Sequence, residues 1–296
     1  MFNSNGAVFI TAVGTPLDDK GKMIEKSFMR HLNDQIKNGI DGFLVMGSMG
    51  MMPCLATETY IRCAEVAAGV VNGKAKIMVG VGDNSIERTL ERIYSIKHLK
   101  IDAVVSTTPY FFTSSQKDLL YYFTEIAEQS PFPVYLYDLP QLTKVKIELE
   151  TVLKLSQHKN IKGIKCSDDP AWTRTLFDKF LGKDFEVISA HYDLVDVLLK
   201  YGIRLHLDGF FSIMPSWLKE IKAAFSKDDF EEITRIQKKM TWLRNKFIKI
   251  KVFPAFTEAM NLLGFEGIFH PSHICPLDNS IRPKVKNLLK EAGLLD

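Results

Sequence analysis

The stretch Asn160-Ile161-Lys162-Gly163-Ile164-Lys165-Cys166-Ser167 decides the fold. Ile161 to Ile164 is a short apolar run broken by Lys162 and Gly163; it ends on Lys165, and polar residues follow at once. Strict alternation puts Ile161, Gly163 and Lys165 on one face of a strand, with Lys162 and Ile164 on the other. In a barrel one of those faces is the packed interior. Lys165 then stands inside, at the strand's C-terminal end, where barrel enzymes keep their chemistry. A lysine held among apolar walls loses part of its preference for charge and becomes a nucleophilic amine. Taken alone, the Gly-Ile-Lys tripeptide reads as a surface lysine at a strand end, so its context has to decide.

Strand-like runs recur on both sides of it: Ala7–Thr11, Gly42–Met46, Lys76–Val81, Ala103–Ser106, Pro133–Tyr137, Ile161–Lys165, Phe185–Ser189 and Leu205–Gly209. Their starts are roughly 20–35 residues apart, the size of a strand, a helix and two turns. Helix-period segments lie between them, at Thr57–Val71, Ser85–His98, Gln116–Gln129 and Pro170–Leu181. The second of these opens on Ser85 with Glu87 close behind, a capped start. Strands alternating with helices predict a parallel sheet. Val13-Gly14-Thr15-Pro16 is not the glycine-rich turn of an open dinucleotide-binding sheet, so eight such units predict an α/β fold of the (β/α)8 TIM-barrel kind. Beyond it Pro215–Phe225, Asp228–Lys249, Pro254–Leu263 and Arg282–Ala292 read as helices. The expected organisation is a barrel over 1–214 and a C-terminal helical appendage over 215–296, which includes the final barrel helix. No Pro/Gly/Ser-rich linker separates the two, so they are expected to pack as one unit.

Composition bounds the function. The chain has 296 residues, 46% of them hydrophobic, with 38 basic and 35 acidic side chains and a net charge of +3. That near-balance, without long basic runs, gives no argument for nucleic acid. No run of 18 apolar residues predicts a membrane span, and no secretory signal is evident, so the cytoplasm is the expected compartment. Cys54, Cys63, Cys166 and Cys275 form no C-x-x-C pair and no zinc-ligand spacing, so reduced thiols and no metal are expected.

If the barrel holds, its strand ends supply the site: Gly47-Ser48-Met49-Gly50, Thr108-Pro109-Tyr110, Leu136-Tyr137-Asp138-Leu139-Pro140 and Gly163-Ile164-Lys165. In this order and spacing they resemble the dihydrodipicolinate synthase/N-acetylneuraminate lyase family of Schiff-base aldolases, across essentially the whole chain. The resemblance implies a barrel with C-terminal helices, a homo-oligomer (tetramer or dimer), and no cofactor other than a covalent lysine imine with a small 2-keto acid. It implies that Lys165 forms that imine and that Tyr137 moves protons at the imine carbon. Ser48 and the backbone around Met49 and Gly50 would hold the keto acid's carboxylate. An amine is needed because the protonated imine is an electron sink for the adjacent C–C bond. Free lysine is charged at neutral pH, a handicap of roughly 4–5 kcal/mol that a dry interior reduces.

The chain departs from the family pattern at four places. The loop usually reads Gly-Thr/Ser-Thr-Gly-Glu; here Met49 replaces a hydroxyl with a thioether that cannot donate a hydrogen bond. Phe111 replaces the second tyrosine of a pair, so a hydroxyl relay across a dimer cannot run in the same form. Leu142 stands where the synthase carries an arginine for its second substrate's carboxylate, which argues against aspartate semialdehyde as acceptor. Ala190 replaces a glycine after the seventh strand. Ser167, Asp193 and Asp208, with Leu207 beside the last, fall where lyase members contact a hydroxylated substrate tail. Asp193 also reads as the cap of the helix after the seventh strand, and His191 and His206 read as structural. The leading expectation is a class I aldolase or lyase that cleaves a 2-keto acid, such as a 2-keto-3-deoxy sugar acid, into pyruvate and an aldehyde. A Schiff-base dehydratase, dihydrodipicolinate synthase itself and a non-catalytic keto-acid-binding homologue stay open beside it.

Overall fold

Eight parallel strands follow one another around a closed ring in sequence order, in a computed structural model that describes residues 1–2, 5–276 and 278–296. They are β1 (Val8–Ala12), β2 (Gly42–Val45), β3 (Lys76–Gly80), β4 (Ala103–Thr107), β5 (Val134–Asp138), β6 (Ile161–Cys166), β7 (Glu186–Ser189) and β8 (Leu205–Asp208). β8 pairs back onto β1, Ile10 opposite Leu207, so no edge is left open. The two-residue period of the strands sorts their side chains into two cores. Val8, Ile10, Leu44, Met78, Tyr135 and Leu207 fill the interior. Their neighbours Phe9, Phe43, Val45, Val79, Leu136 and Ile164 face the surrounding helices. This is the predicted (β/α)8 barrel.

The helices between the strands are α1 (Glu25–Lys37), α2 (Thr57–Val71), α3 (Ile86–Ser95), α4 (Gln116–Gln129), α5 (Pro140–Thr143), α6 (Leu149–Leu155), α7 (Pro170–Phe180) and α8 (Val195–Tyr201). α3 starts as predicted, with the Ser85 side chain accepting from the Arg88 amide. α1 falls in a segment where no helix is predicted. Of its five buried residues, Ser27, His31 and Gln35 are polar, and Ile24 at its start gives no side-chain cap, so both usual signals are weak. Its polar residues are used inside: Gln35 accepts from the Thr11 hydroxyl at 2.8 Å and donates to the Ser212 carbonyl at 3.2 Å. After β8 come α9 (Pro215–Phe225), α10 (Phe230–Ile250), α11 (Val252–Leu262) and α12 (Ile281–Glu291). The long α10 packs against α8, α9, α11 and α12. Among the described residues no helix is long and apolar enough to cross a membrane.

One expectation about β6 fails. Ile161 does not share a face with Gly163; it joins the helix-facing core. The β5–β6 register steps from Val134 opposite Ile161 to Tyr135 opposite Gly163, so Lys162 is an extra residue, a bulge. Past the bulge alternation resumes. Lys165 lies level with Tyr137 on one side and Ile188 on the other, and both of these point inward. Lys162 itself turns out to pair with Asp184 at 2.6 Å.

Candidate active site

At the C-terminal end of β6 the Lys165 side chain is enclosed, only 4% exposed. Its Nζ lies 3.6 Å from the centre of the Tyr137 ring and donates to Ser167 Oγ at 3.2 Å. The Tyr137 hydroxyl shares a 3.2 Å hydrogen bond with Ser48 Oγ, from the loop after β2. Amine, phenol and serine hydroxyl therefore form one chain across three strand ends.

The supports of this chain are local. Asp138, the residue after Tyr137, is fully buried and accepts from the Ile147 amide at 3.0 Å and from Lys146 Nζ at 3.4 Å. Burial raises its carboxyl above the usual range, and the Ile147 amide and the Lys146 charge partly offset that. Lys146 also contacts Asp168, and its ammonium sits 4.5 Å from the Trp172 ring centre. The Asp138 carbonyl takes the Ser167 amide at 3.0 Å, and Gln141 donates to the Ser167 carbonyl at 2.8 Å. These bonds fasten the β5 end to the β6 end, and so Tyr137 to Lys165.

The loop after β2 is held under strain. Met46 and Met51, at φ of 55° and 58°, both occupy the left-handed region and bracket Gly47-Ser48-Met49-Gly50. Gly80 of β3 admits the close approach: a Cβ there would stand 2.0 Å from the Met46 carbonyl oxygen. Thr15 Oγ1 donates to the Gly50 carbonyl at 2.8 Å and ties the loop to the end of β1. Met49 reaches across to Gly209 after β8, where a Cβ would meet its Cγ at 2.1 Å. The thioether thus fills space beside β8.

A cavity of about 380 Å³ opens over these strand ends. Of the expected residues it brings Ser48 and Tyr137 to its wall; Lys165 is not on the wall, but its amine lies against the ring of Tyr137, which is. Met49, Ser167, Asp208 and Leu207 are not on that wall, and Leu207 is fully buried in the barrel interior. Among the lining residues that the sequence reading does not name as site residues, two carry hydroxyls next to the β4 end. Tyr110 belongs to the Thr108-Pro109-Tyr110 motif, and Thr107 carries a buried Oγ1 with no hydrogen-bond partner among the described residues. The signal for Thr107 was its place as the last residue of β4.

Asp193 does not cap α8. The N-cap of that helix is Leu194, which gives no side-chain cap, and Asp193 pairs with Arg244 of α10 at 3.3 Å. A partner 51 positions away is invisible to local reading. His191 donates to or accepts from Thr173 at 2.9 Å, and His206, held down to about 4 by burial, bonds the Ile203 carbonyl at 3.1 Å. Both are the structural histidines expected.

Asp208 accepts from the Phe210 amide at 2.8 Å. Burial pushes its carboxyl up to about 6 from 3.8; that amide and the Lys165 charge hold it from rising further. The sign of the linkage follows. A carboxyl raised on folding adds stability that is fully present below about pH 4 and is lost as pH rises through about 6. Asp208→Asn, neutral at every pH, is expected to be more stable relative to wild type at about pH 8 than at about pH 4, by on the order of 2 kcal/mol. Chemical denaturation at the two pH values measures it, and an equal difference at both would contradict the assignment.

Comparison with known proteins agrees with this architecture. The model of the dihydrodipicolinate synthetase family matches residues 6–292. The 4-hydroxy-tetrahydrodipicolinate synthase of Hydrogenobaculum sp. (strain Y04AAS1) is 29% identical over 288 residues, covering 97% of this chain and 98% of that protein. The protein of the same name from Ligilactobacillus salivarius (strain UCC118) is 31% identical over 196 residues, 64% of this chain and 68% of that one. The crystal structure of dihydrodipicolinate synthase from Thermotoga maritima superposes with a TM-score of 0.89 at 25% identity, over 99% of this chain and 100% of that one. Matched by sequence and by fold along nearly its whole length, the chain belongs to the dihydrodipicolinate synthetase family, a family of class I aldolases and lyases.

Proposed function

We propose that this lyase works through an imine between Lys165 and a 2-keto acid, making or breaking the C3–C4 bond, one carbon out from the imine carbon. The carrying observation is the enclosed Lys165 amine, 3.6 Å over the ring of a tyrosine whose hydroxyl reaches Ser48 at 3.2 Å. The amine attacks the ketone, water leaves, and the protonated imine accepts the electron pair of the breaking C3–C4 bond. Tyr137 takes the proton of the C4 hydroxyl as the aldehyde departs, and the resulting enamine is protonated at C3. Water then returns the amine and releases pyruvate. Ser48, with the amides of its strained loop, binds the carboxylate; short side chains and glycines let N–H groups converge on an anion. No metal or further cofactor enters this scheme. Retained Lys165 and Tyr137 weigh against a non-catalytic binding role, and Leu142 weighs against aspartate semialdehyde as the acceptor. A homo-oligomer in solution belongs to the same reading, although one relative of known structure, 26% identical, is described as the first monomeric dihydrodipicolinate synthase variant.

Borohydride reduction in the presence of pyruvate tests the imine. An irreversible mass increase on the peptide carrying Lys165 is expected; its absence with every keto acid tried would leave only the architecture. Tyr137→Phe should retain that adduct while kcat falls about 10²–10⁴-fold, the usual contribution of a positioned proton carrier. Equal loss of trapping and turnover would instead make Tyr137 a packing residue.

A further inference from the structure

The cavity over the strand ends has an apolar wall. Met51, Met52, Leu139, Leu142, Phe253 and Ile274 supply much of it; among its described lining residues there is no lysine, arginine, aspartate or glutamate, and the polar side chains are Ser48, Thr107, Tyr110, Tyr137, Thr143 and His273. These residues come from four places: the loop after β2, the β5 end, the start of α11 and the segment between α11 and α12. The nearby cation is spoken for. Arg92 contacts Met52 from α3, but its guanidinium pairs with Asp83 at 2.8 Å and donates to the Gly82 carbonyl. The acids that would greet a polyol are elsewhere: Asp193 is paired with Arg244, and Asp208 is off the wall. At about 380 Å³ the space greatly exceeds what a pyruvate unit fills.

The geometry points to a substrate whose aldehyde half carries an apolar aryl or branched-alkyl group, in place of a polyhydroxyl or carboxylate tail. This rests on the imine chemistry proposed above and names what that chemistry acts on. The reaction is R–CH(OH)–CH2–CO–COO⁻ giving R–CHO and pyruvate. The C3–C4 bond breaks, its electron pair passes to the enamine, and the C4 hydroxyl proton replaces it at C3, so no oxidant or co-reactant is needed. The tail R lies against Leu139, Leu142 and Phe253, with C4 held at Tyr137. An apolar wall gains from each methylene it covers, whereas a hydroxyl or carboxylate of a tail lying against Leu139, Leu142 and Phe253 loses its water without a partner among them.

Trapping separates the tail from the chemistry. The intact protein is reduced with borohydride at graded concentrations of pyruvate, 2-oxo-4-phenylbutanoate and 2-keto-3-deoxygluconate, and adduct mass is read. The phenyl compound is expected to half-saturate at least about tenfold below pyruvate, and about 10²-fold below the sugar acid. Leu142→Asp should raise the half-saturation of the phenyl compound relative to that of pyruvate by about tenfold or more. Pyruvate release from 4-hydroxy-2-oxo-4-phenylbutanoate should likewise exceed release from 2-keto-3-deoxygluconate. Should pyruvate trap while the sugar acid matches or beats the phenyl compound, the apolar tail is wrong and the imine stands. If pyruvate itself leaves no adduct, the imine fails and this inference goes with it.

Discussion

Lys165→Ala is expected to leave no borohydride adduct with pyruvate and to lower kcat/KM by about 10⁴-fold or more, equivalent to about 5.5 kcal/mol of barrier. The size follows from what is removed. Without the amine there is no cation to receive the electron pair of the breaking bond, and no other primary amine lies among the described residues that line the cavity. Lys146 is the nearby amine to consider as a substitute nucleophile. It is tied by ion pairs to Asp138 and Asp168, which hold it at the β5 and β6 ends and away from the imine position. A loss of activity through misfolding is distinguishable. Lys165→Met keeps the length of the side chain and its contact with the Tyr137 ring; it should fold with a thermal midpoint near that of wild type and still be inactive. Adduct formation or turnover at wild-type levels in Lys165→Ala would assign the chemistry to another residue.

The parts of this site legible in the sequence are those with a local period or a fixed place at a strand end. Lys165 and Tyr137 were readable because each ends a short apolar run, and the β/α spacing turns strand ends into a common rim. Reading failed where the chain breaks its own period. The Lys162 bulge moved Ile161 to the other face, while Lys165 still points inward because alternation resumes after the bulge. α1 hid behind its buried Ser27, His31 and Gln35, whose partners Thr11 and Ser212 belong to distant segments. The apolar wall was invisible for a different reason: no single stretch contains it. Met51, Leu142, Phe253 and Ile274 meet only because the barrel and the α11–α12 connection bring them together. Met49 departs visibly from the family loop, but its fit against Gly209 joins residues 160 positions apart and has no local signal.

Gly163→Ala tests whether the glycine two places before the lysine is there for the barrel itself. A Cβ at Gly163 would stand 2.4 Å from the Glu186 carbonyl oxygen and 2.6 Å from the Tyr135 ring. Neither neighbour can give way. The carbonyl belongs to β7, whose Glu186 is the residue opposite Gly163 in the strand register. The ring is fully buried, and its hydroxyl is anchored to the Glu186 carboxylate at 2.6 Å. Overpacking a core costs typically 1–3 kcal/mol, and a clash against backbone belongs at or beyond the top of that range. A loss of about 3 kcal/mol or more is therefore expected, read as a drop in thermal midpoint of roughly 5 °C or more for a chain of 296 residues. Gly69→Ala supplies the opposite sign. Gly69 lies exposed within α2, and a Cβ there meets nothing within 4 Å, so alanine should stabilise by about 1 kcal/mol through helix propensity alone. If both substitutions shift the midpoint alike, the contact of Gly163 with Tyr135 and β7 is not what holds β6 in register.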